Sequence, residues 1–318
     1  MIKKIIILIL SIVFINILID YNQKIKLDNE KKFSISEIEE INKIFLSDRK
    51  GNNITLLKDN NIWTVNNKYN VRDDAISTLL STIKKISIQR PVPETGYNNV
   101  IKQLATTGVK VEIYYNKKIK TYTVGGSTSN HLGTYMLMDK AENPYIVHIA
   151  GFNGFLSPRY GIQGYELDIN NWRDNTVFKI ETEIINEISL IDLQENNYSF
   201  TIKTKPLSLI DINNNDIKYD FDKVIKYLNN FSQLNSENFK GSNVDISNEK
   251  LIYRLKIIHN NNKEDILEAY TFSKTNKNSN NSKPNVERMY ARLNNGEFLL
   301  IQNYVFNKVF ISIDELKE

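Results

Sequence analysis

Hydrophobic residues fall along this chain in three patterns: one continuous run, several alternations of period two, and stripes of helical period. The continuous run comes first. Lys3 and Lys4 precede apolar residues from Ile5 to Ile19, interrupted only by Ser11 and Asn16. A membrane-spanning helix needs about 20 apolar residues, and Ile2, Tyr21 and snorkelling lysines extend this run towards that length. The residues that follow, Asp20-Tyr-Asn-Gln, lack the small-residue pattern of a cleavage site. The reading is therefore an uncleaved signal anchor over residues 1–22 and a juxtamembrane linker over 23–34. Lys3, Lys4 and the very short N-terminal tail favour a body outside the cytoplasm, against the opposing pull of Lys24, Lys26, Lys31 and Lys32.

Alternation begins after the linker. Ile41 to Asp48 predicts a strand, and Ile54–Lys58 with Ile62–Val65 predict a hairpin around Asp59-Asn60-Asn61, residues that tolerate positive φ. Ile76, Leu79, Leu80, Ile83 and Ile86 then form a helical stripe, with Asp73 or Asp74 as candidate N-cap. Arg90-Pro-Val-Pro reads as a helix-breaking connector. Val100–Ala105 reads as a short second helix stopped near Gly108. Further strands are predicted at Val109–Tyr115, at Ile119–Val124 after a turn at Asn116-Lys117-Lys118, and at Tyr135–Met138 and Tyr145–Ile149. Strand meanders with inserted helices indicate an α+β fold.

The second half follows the first in order. Ile41–Asp48 matches Ile185–Asp192, and Ile54-Thr-Leu matches Tyr198-Ser-Phe. Tyr69–Leu80 resembles Tyr219–Leu228, with a second stripe at Phe221, Val224, Ile225, Leu228 and Phe231. Val111-Glu-Ile matches Leu255-Lys-Ile, Tyr122-Thr-Val matches Tyr270-Thr-Phe, and Tyr135–Val147 parallels Tyr290–Leu300. The expected organisation is two sheet-rich repeats, residues 35–160 and 181–318, joined by a connector over 161–180. They differ between corresponding strands, where the first has a Gly-rich loop and the second a polar, low-complexity tract over 273–284 that reads as a mobile loop.

Composition narrows the function without naming it. The chain of 318 residues is 41% hydrophobic and 10% aromatic, which suits a folded protein of two domains. Its net charge of +4 shows no concentrated basic face, so no nucleic-acid partner is expected. The absence of cysteine excludes disulfides, thiol catalysis and a lipid-modified N-terminal cysteine.

The densest candidate region is Thr121–Tyr160 and its flank. Gly125-Gly126-Ser127-Thr128 after a strand presents backbone N–H groups to an anion, or makes a tight turn needing positive φ. It lacks the Gly-Lys-Ser/Thr ending of a phosphate-binding loop. His131, in the Gly-rich loop, and His148, on a strand, lack ligand-pair spacing, so no metal and no cofactor are expected. Ser127, Ser129 and Ser157 lie in no nucleophile elbow, and nothing in the spacing ties a histidine to a serine. Phe152, Phe155, Tyr160, Tyr165 and Trp172, with Arg159 and Arg173, have the composition of an interface or sugar-stacking surface, or of packing where the repeats meet.

Several segments together carry a family resemblance. Ile88-Gln-Arg-Pro-Val-Pro, Leu104–Tyr114, Val124-Gly-Gly-Ser-Thr, Gly133–Met138, Pro144–Phe152 and Asn171-Trp-Arg resemble the domain-of-unknown-function 4340 family of anchored bacterial proteins, well over residues 35–202 and weakly beyond. Relatives are associated with accessory components of ABC transporters, so the resemblance implies an envelope role. It brings no catalytic residue with it. The expectation is a single-pass inner-membrane protein with a periplasmic or other extracytoplasmic body. It would serve as a non-enzymatic accessory or scaffolding subunit with a protein partner. A glycan- or ligand-binding module is the alternative, ahead of a hydrolase.

Overall fold

The computed structural model describes residues 14–17, 32–273 and 286–318. The expected anchor, apart from helical residues 14–17, lies outside the described residues, as do most of the linker, residues 274–284 of the polar tract and Asn285. Among the described residues no helix is long and apolar enough to cross a membrane. The chain divides into two compact units between Asp174 and Asn175.

The first unit is built on nine strands. They are β1 (Ile41–Ser47), β2 (Asn53–Asp59), β3 (Ile62–Val65), β4 (Tyr69–Asn70), β5 (Ile86–Pro91), β6 (Val109–Tyr115), β7 (Lys118–Ser127), β8 (Thr134–Met138) and β9 (Tyr145–Ile149). Their order in the sheet is β4-β3-β2-β1-β6-β7-β8-β9-β5. Two tight hairpins form where the sequence predicts them. Asn60 and Asn61 take φ of 45° and 65°, and Asn116 and Lys117 take 45° and 60°, the positive values that two-residue turns between twisted strands require. Helix α1 (Asp73–Lys85) buries Ile76, Leu79 and Ile83. Its N-cap is Arg72 rather than an aspartate. Asp73 and Asp74 lie in the first turn, where negative charge suits the helix dipole, and Asp74 accepts two hydrogen bonds from the Arg72 guanidinium.

Two expectations change here. Arg90-Pro91 ends an edge strand, β5, which among the described residues pairs only with β9; an edge position tolerates a residue without an N–H. Helix α2 runs over Glu94–Thr107, a full turn and more before Val100. Its polar opening shows no apolar stripe, and Pro93 as N-cap supplies the start. A small hairpin of β10 (Ile162–Gln163) and β11 (Glu166–Leu167) completes the unit. Residues 161–180 feed both cores: Ile162, Leu167 and Trp172 pack in the first, Phe178 and Ile180 in the second.

The second unit contains β12 (Thr176–Phe178), β13 (Ile185–Asp192), β14 (Phe200–Thr204), β15 (Leu207–Asp211), β16 (Asp216–Ile217), helix α3 (Phe221–Asn229), β17 (Leu234–Asn235), β18 (Asn238–Gly241), β19 (Leu251–His259), β20 (Glu264–Tyr270), β21 (Arg288–Leu293), β22 (Phe298–Gln302) and helix α4 (Asn303–Phe306). Strands β12 and β17 pair with each other. The main sheet is ordered β16-β15-β14-β13-β19-β20-β21-β22-β18, the same succession as in the first unit. Registers agree too. Ile44 faces Ile113 and Ile188 faces Ile257, and 188 − 44 and 257 − 113 are both 144.

Two of the sequence matches shift in this frame. Leu46 faces Ile54 whereas Leu190 faces Phe200, so Phe200, not Tyr198, corresponds to Ile54. Val111 faces Tyr122 whereas Leu255 faces Leu267, so Tyr122 corresponds to Leu267 rather than Tyr270. Loop lengths differ between the units: the first match slips by two residues, which alternation alone does not detect, and the second by three. In α3, Val224, Tyr227 and Leu228 are buried while Phe221 stays exposed.

Candidate functional site

The candidate residues lie at the end of β7 and in the loops that follow β7, β9 and β11. Gly125 and Gly126 are in extended strand and neither has positive φ. The tight-turn reading is therefore corrected. What Gly125 requires is the absence of a side chain, whereas at Gly126 the tip of the flexible Gln103 side chain would have to move. A Cβ on Gly125 would lie 2.6 Å from Leu104 Cδ2 and one on Gly126 2.6 Å from Gln103 Nε2, both on α2. Gly125 lets a helix lie directly on the strand.

Thr128 closes the next loop. Its N–H donates to the Gly133 carbonyl at 2.9 Å, and its hydroxyl oxygen accepts from Gly133 N–H at 3.1 Å. Within that loop His131 takes φ of +58°. This turns its ring back so that Nδ1 lies 3.0 Å from Ser127 Oγ. Phe155 stands beside it, ring centroids 5.9 Å apart. Sequence spacing gave no reason to join this serine and histidine, because the contact depends on a left-handed residue inside a short loop. A serine–imidazole contact can relay a proton, yet among the described residues no carboxylate hydrogen-bonds His131 to orient it. His148, on β9, faces Ser87 across the β5–β9 pair. Among the described residues there is no group of three or more His, Asp or Glu positioned to hold a metal ion.

The remaining candidates pack. Tyr160 is fully buried, and its hydroxyl lies 2.9 Å from that of Tyr122. Burial pushes both phenols well above their ordinary pKa, reinforced at Tyr122 by Tyr160. Trp172 is 1% exposed. Its indole lies against Gly161, where φ of +66° and a Cβ only 2.6 Å from the ring both demand glycine. Arg173 is buried with its guanidinium 3.6 Å from the Tyr69 ring centroid, a cation–π contact. Arg159 is half-buried; its Nε donates to Thr82 Oγ1 at 2.6 Å and its guanidinium lies 5.0 Å from the Phe152 ring. The set thus separates into a surface group of Ser127, His131 and Phe155 and a packed group of Gly125, Gly126, Thr128, Tyr160, Trp172 and Arg173. Arg159 stands between the two groups, on the wall of a cleft of about 200 Å³ that Arg72, Thr78 and Gly161 also line.

One group escaped the sequence reading. Lys120 lines a groove of about 580 Å³ together with Lys32, Glu37, Lys118 and Asp139. Its Nζ donates to the backbone carbonyls of Lys32 at 2.8 Å and Ser34 at 2.6 Å. Burial, and after it the charge of Lys32, pull its ammonium down to about 8. Nothing in the local pattern of β7 marks it, because the carbonyls come from a segment more than eighty residues earlier.

No curated protein and no solved structure matches the chain. Residues 63–251 match the domain of unknown function DUF4340, a span that begins in β3, crosses from the first unit into the second and covers more than half of the sequence, so the chain belongs to that family.

Proposed function

We propose that this protein is a membrane-anchored accessory or scaffolding subunit of an envelope assembly, of the kind that accompanies an ABC-type transporter, with its body on the extracytoplasmic side. The observation that carries this reading is the apolar run Ile5–Ile19 with lysines on both flanks. It precedes Lys32–Ile35, which is tied into the first unit: Phe33 is 1% exposed and Ile35 N–H donates to the Ile83 carbonyl at 3.1 Å. A body tethered this closely suits a subunit held in register beside a membrane-embedded partner. The surface offered to that partner is the Ser127–His131–Phe155 group, an aromatic and polar patch in short loops on a rigid sheet.

The same group supports a second reading, a binding module for envelope glycans or other small ligands, since Phe155 and His131 set two rings 5.9 Å apart at half-buried and exposed positions. A hydrolase ranks below both. Purification of the full-length protein from membranes in mild detergent, beside a form lacking residues 1–21, tests the first reading. A stoichiometric partner that is lost on truncation supports it. A protein recovered alone in both forms overturns it and transfers the case to ligand binding, which is read as a rise in Tm.

A further inference from the structure

We propose that Lys120 is a nucleophilic amine, a site where the protein is acylated by activated acyl donors of the acyl-phosphate class, and that acylation there loosens the segment Lys32–Ile35. The geometry is the argument. A neutral amine has two N–H bonds and one lone pair. Two backbone carbonyls, of Lys32 and Ser34, stand within 2.8 Å of Nζ. Both N–H bonds therefore remain satisfied after the proton is lost, and the lone pair is left for attack. Lys120 lines a groove of about 580 Å³, large enough to admit a small acyl donor.

The charged groups around the groove act in the same sense or weakly against it. Lys32 lies close enough to disfavour a second positive charge, and Lys118 lines the same wall. Glu37 opposes, and Asp139 stands on the far strand β8's following turn. With its ammonium drawn down to about 8, roughly a quarter of the Lys120 side chain is free amine at pH 7.5, against about a thousandth for an ordinary lysine. Lower basicity reduces nucleophilicity, so the expected net preference is on the order of tenfold.

The step balances without an oxidant or metal. The Nζ lone pair forms the N–C bond, the C–O bond to phosphate breaks, phosphate leaves with the electron pair, and the amine proton passes to water or phosphate. The product amide keeps one N–H. It can serve only one of the two carbonyls, so the other loses its donor. Phe33, between Lys32 and Ser34 in the chain, packs edge-on against Tyr122 and Tyr145, at 5.8 and 6.4 Å, and is the part of the segment's hold that acylation leaves in place.

The test uses the full-length protein in detergent with acetyl phosphate as probe, over pH 6.5–10.5, reading each lysine by peptide mass. Lys120 is expected to be acetylated about tenfold faster than Lys118 at pH 7.5, with a rate that levels off near pH 8. Amide exchange at Ile35 should rise after acetylation. K120R keeps donors for both carbonyls, and its Ile35 amide should stay protected under the same treatment. Acetylation of Lys120 no faster than Lys118, or a rate still climbing above pH 10, overturns the assignment. Unchanged exchange at Ile35 in the acetylated protein overturns the loosening.

Discussion

The two units share a strand order and differ in how they treat one position on the strand that follows the central pair. Val124 in β7 occupies the place of Ala269 in β20, facing Val109 and Tyr253 respectively. The next residue is Gly125 in the first unit and Tyr270 in the second. Where glycine stands, helix α2 comes down on the sheet and Leu104 fills the space. Where tyrosine stands, no helix lies between β18 and β19. The ring covers that patch itself, 6.4 Å from Phe298, with its hydroxyl donating to Glu268 at 2.8 Å. One wiring diagram therefore accepts two coverings, and the glycine version also forms the base of the loop that carries Ser127 and His131.

A second contrast lies one hairpin along. Lys120 and Asp265 hold equivalent places, facing Ile113 and Ile257. The lysine holds the N-terminal segment by two carbonyls, whereas the aspartate pairs locally with His259 and Lys263. The first unit spends this position on a distant segment and the second on its own turn.

The largest expected effect breaks the coverings. Tyr270→Gly should destabilise the second unit by about 3 kcal/mol, the cost of a cavity where a large ring was removed, while Gly125→Ala should cost the first about 1–3 kcal/mol by overpacking Leu104. Amide exchange resolved by unit checks both, and an equal response of the two units to either change would remove the distinction. Next comes the buried hydroxyl pair, which the second unit lacks because Leu267 replaces Tyr122. Tyr122→Phe or Tyr160→Phe alone should cost about 1–3 kcal/mol by leaving its partner unsatisfied, and the double variant less than the sum. Additive effects in a denaturant series would mean the hydroxyls do not interact.

A smaller effect belongs to Asp48, just past the end of β1 in the first unit. Burial pushes the Asp48 carboxyl up, but hydrogen bonds from the Asn52 side chain and from the Leu167, Asn52 and Lys50 backbone together hold it below the ordinary carboxylate range. A depressed native pKa stabilises the fold above the unfolded value near 4 and loses that stability as pH falls through the native value. Asp48→Asn should therefore flatten the acid limb of the first unit's stability curve, by about 1–2 kcal/mol at neutral pH. An acid limb as steep as before would contradict this. The smallest effect is at the surface, where His131→Ala should leave stability within about 0.5 kcal/mol.

Much of this frame was legible in the chain. Paired asparagines at 60–61 and Asn116-Lys117 announce hairpins because tight turns need positive φ, and the stripes at Ile76–Ile83 and Val224–Leu228 announce helices because burial there has helical period. The 144-residue echo survives in the central strands because register is fixed by which face is buried. It slips at Tyr198 and Tyr270, where loops change length and apolar residues are interchangeable. The candidate site was less legible. Gly125-Gly126 looked like a turn because its reason, the approach of α2, comes from elsewhere in the chain. Tyr160 and Trp172 read either as interface aromatics or as packing, because composition does not distinguish an interface from a core. Ser127 with His131, and Lys120 with the Lys32 and Ser34 carbonyls, depend on tertiary contacts that no local pattern carries.

The claim that the first unit's loop surface meets a partner is tested most directly by photo-crosslinking in intact membranes. A photoreactive side chain is placed at His131, at Phe155 and, in the second unit, at Asn295 in the exposed turn between β21 and β22. The account predicts a discrete protein adduct from positions 131 and 155, absent from 295 and absent when residues 1–21 are removed. No adduct from 131 or 155, or the same adduct from all three positions, would contradict it.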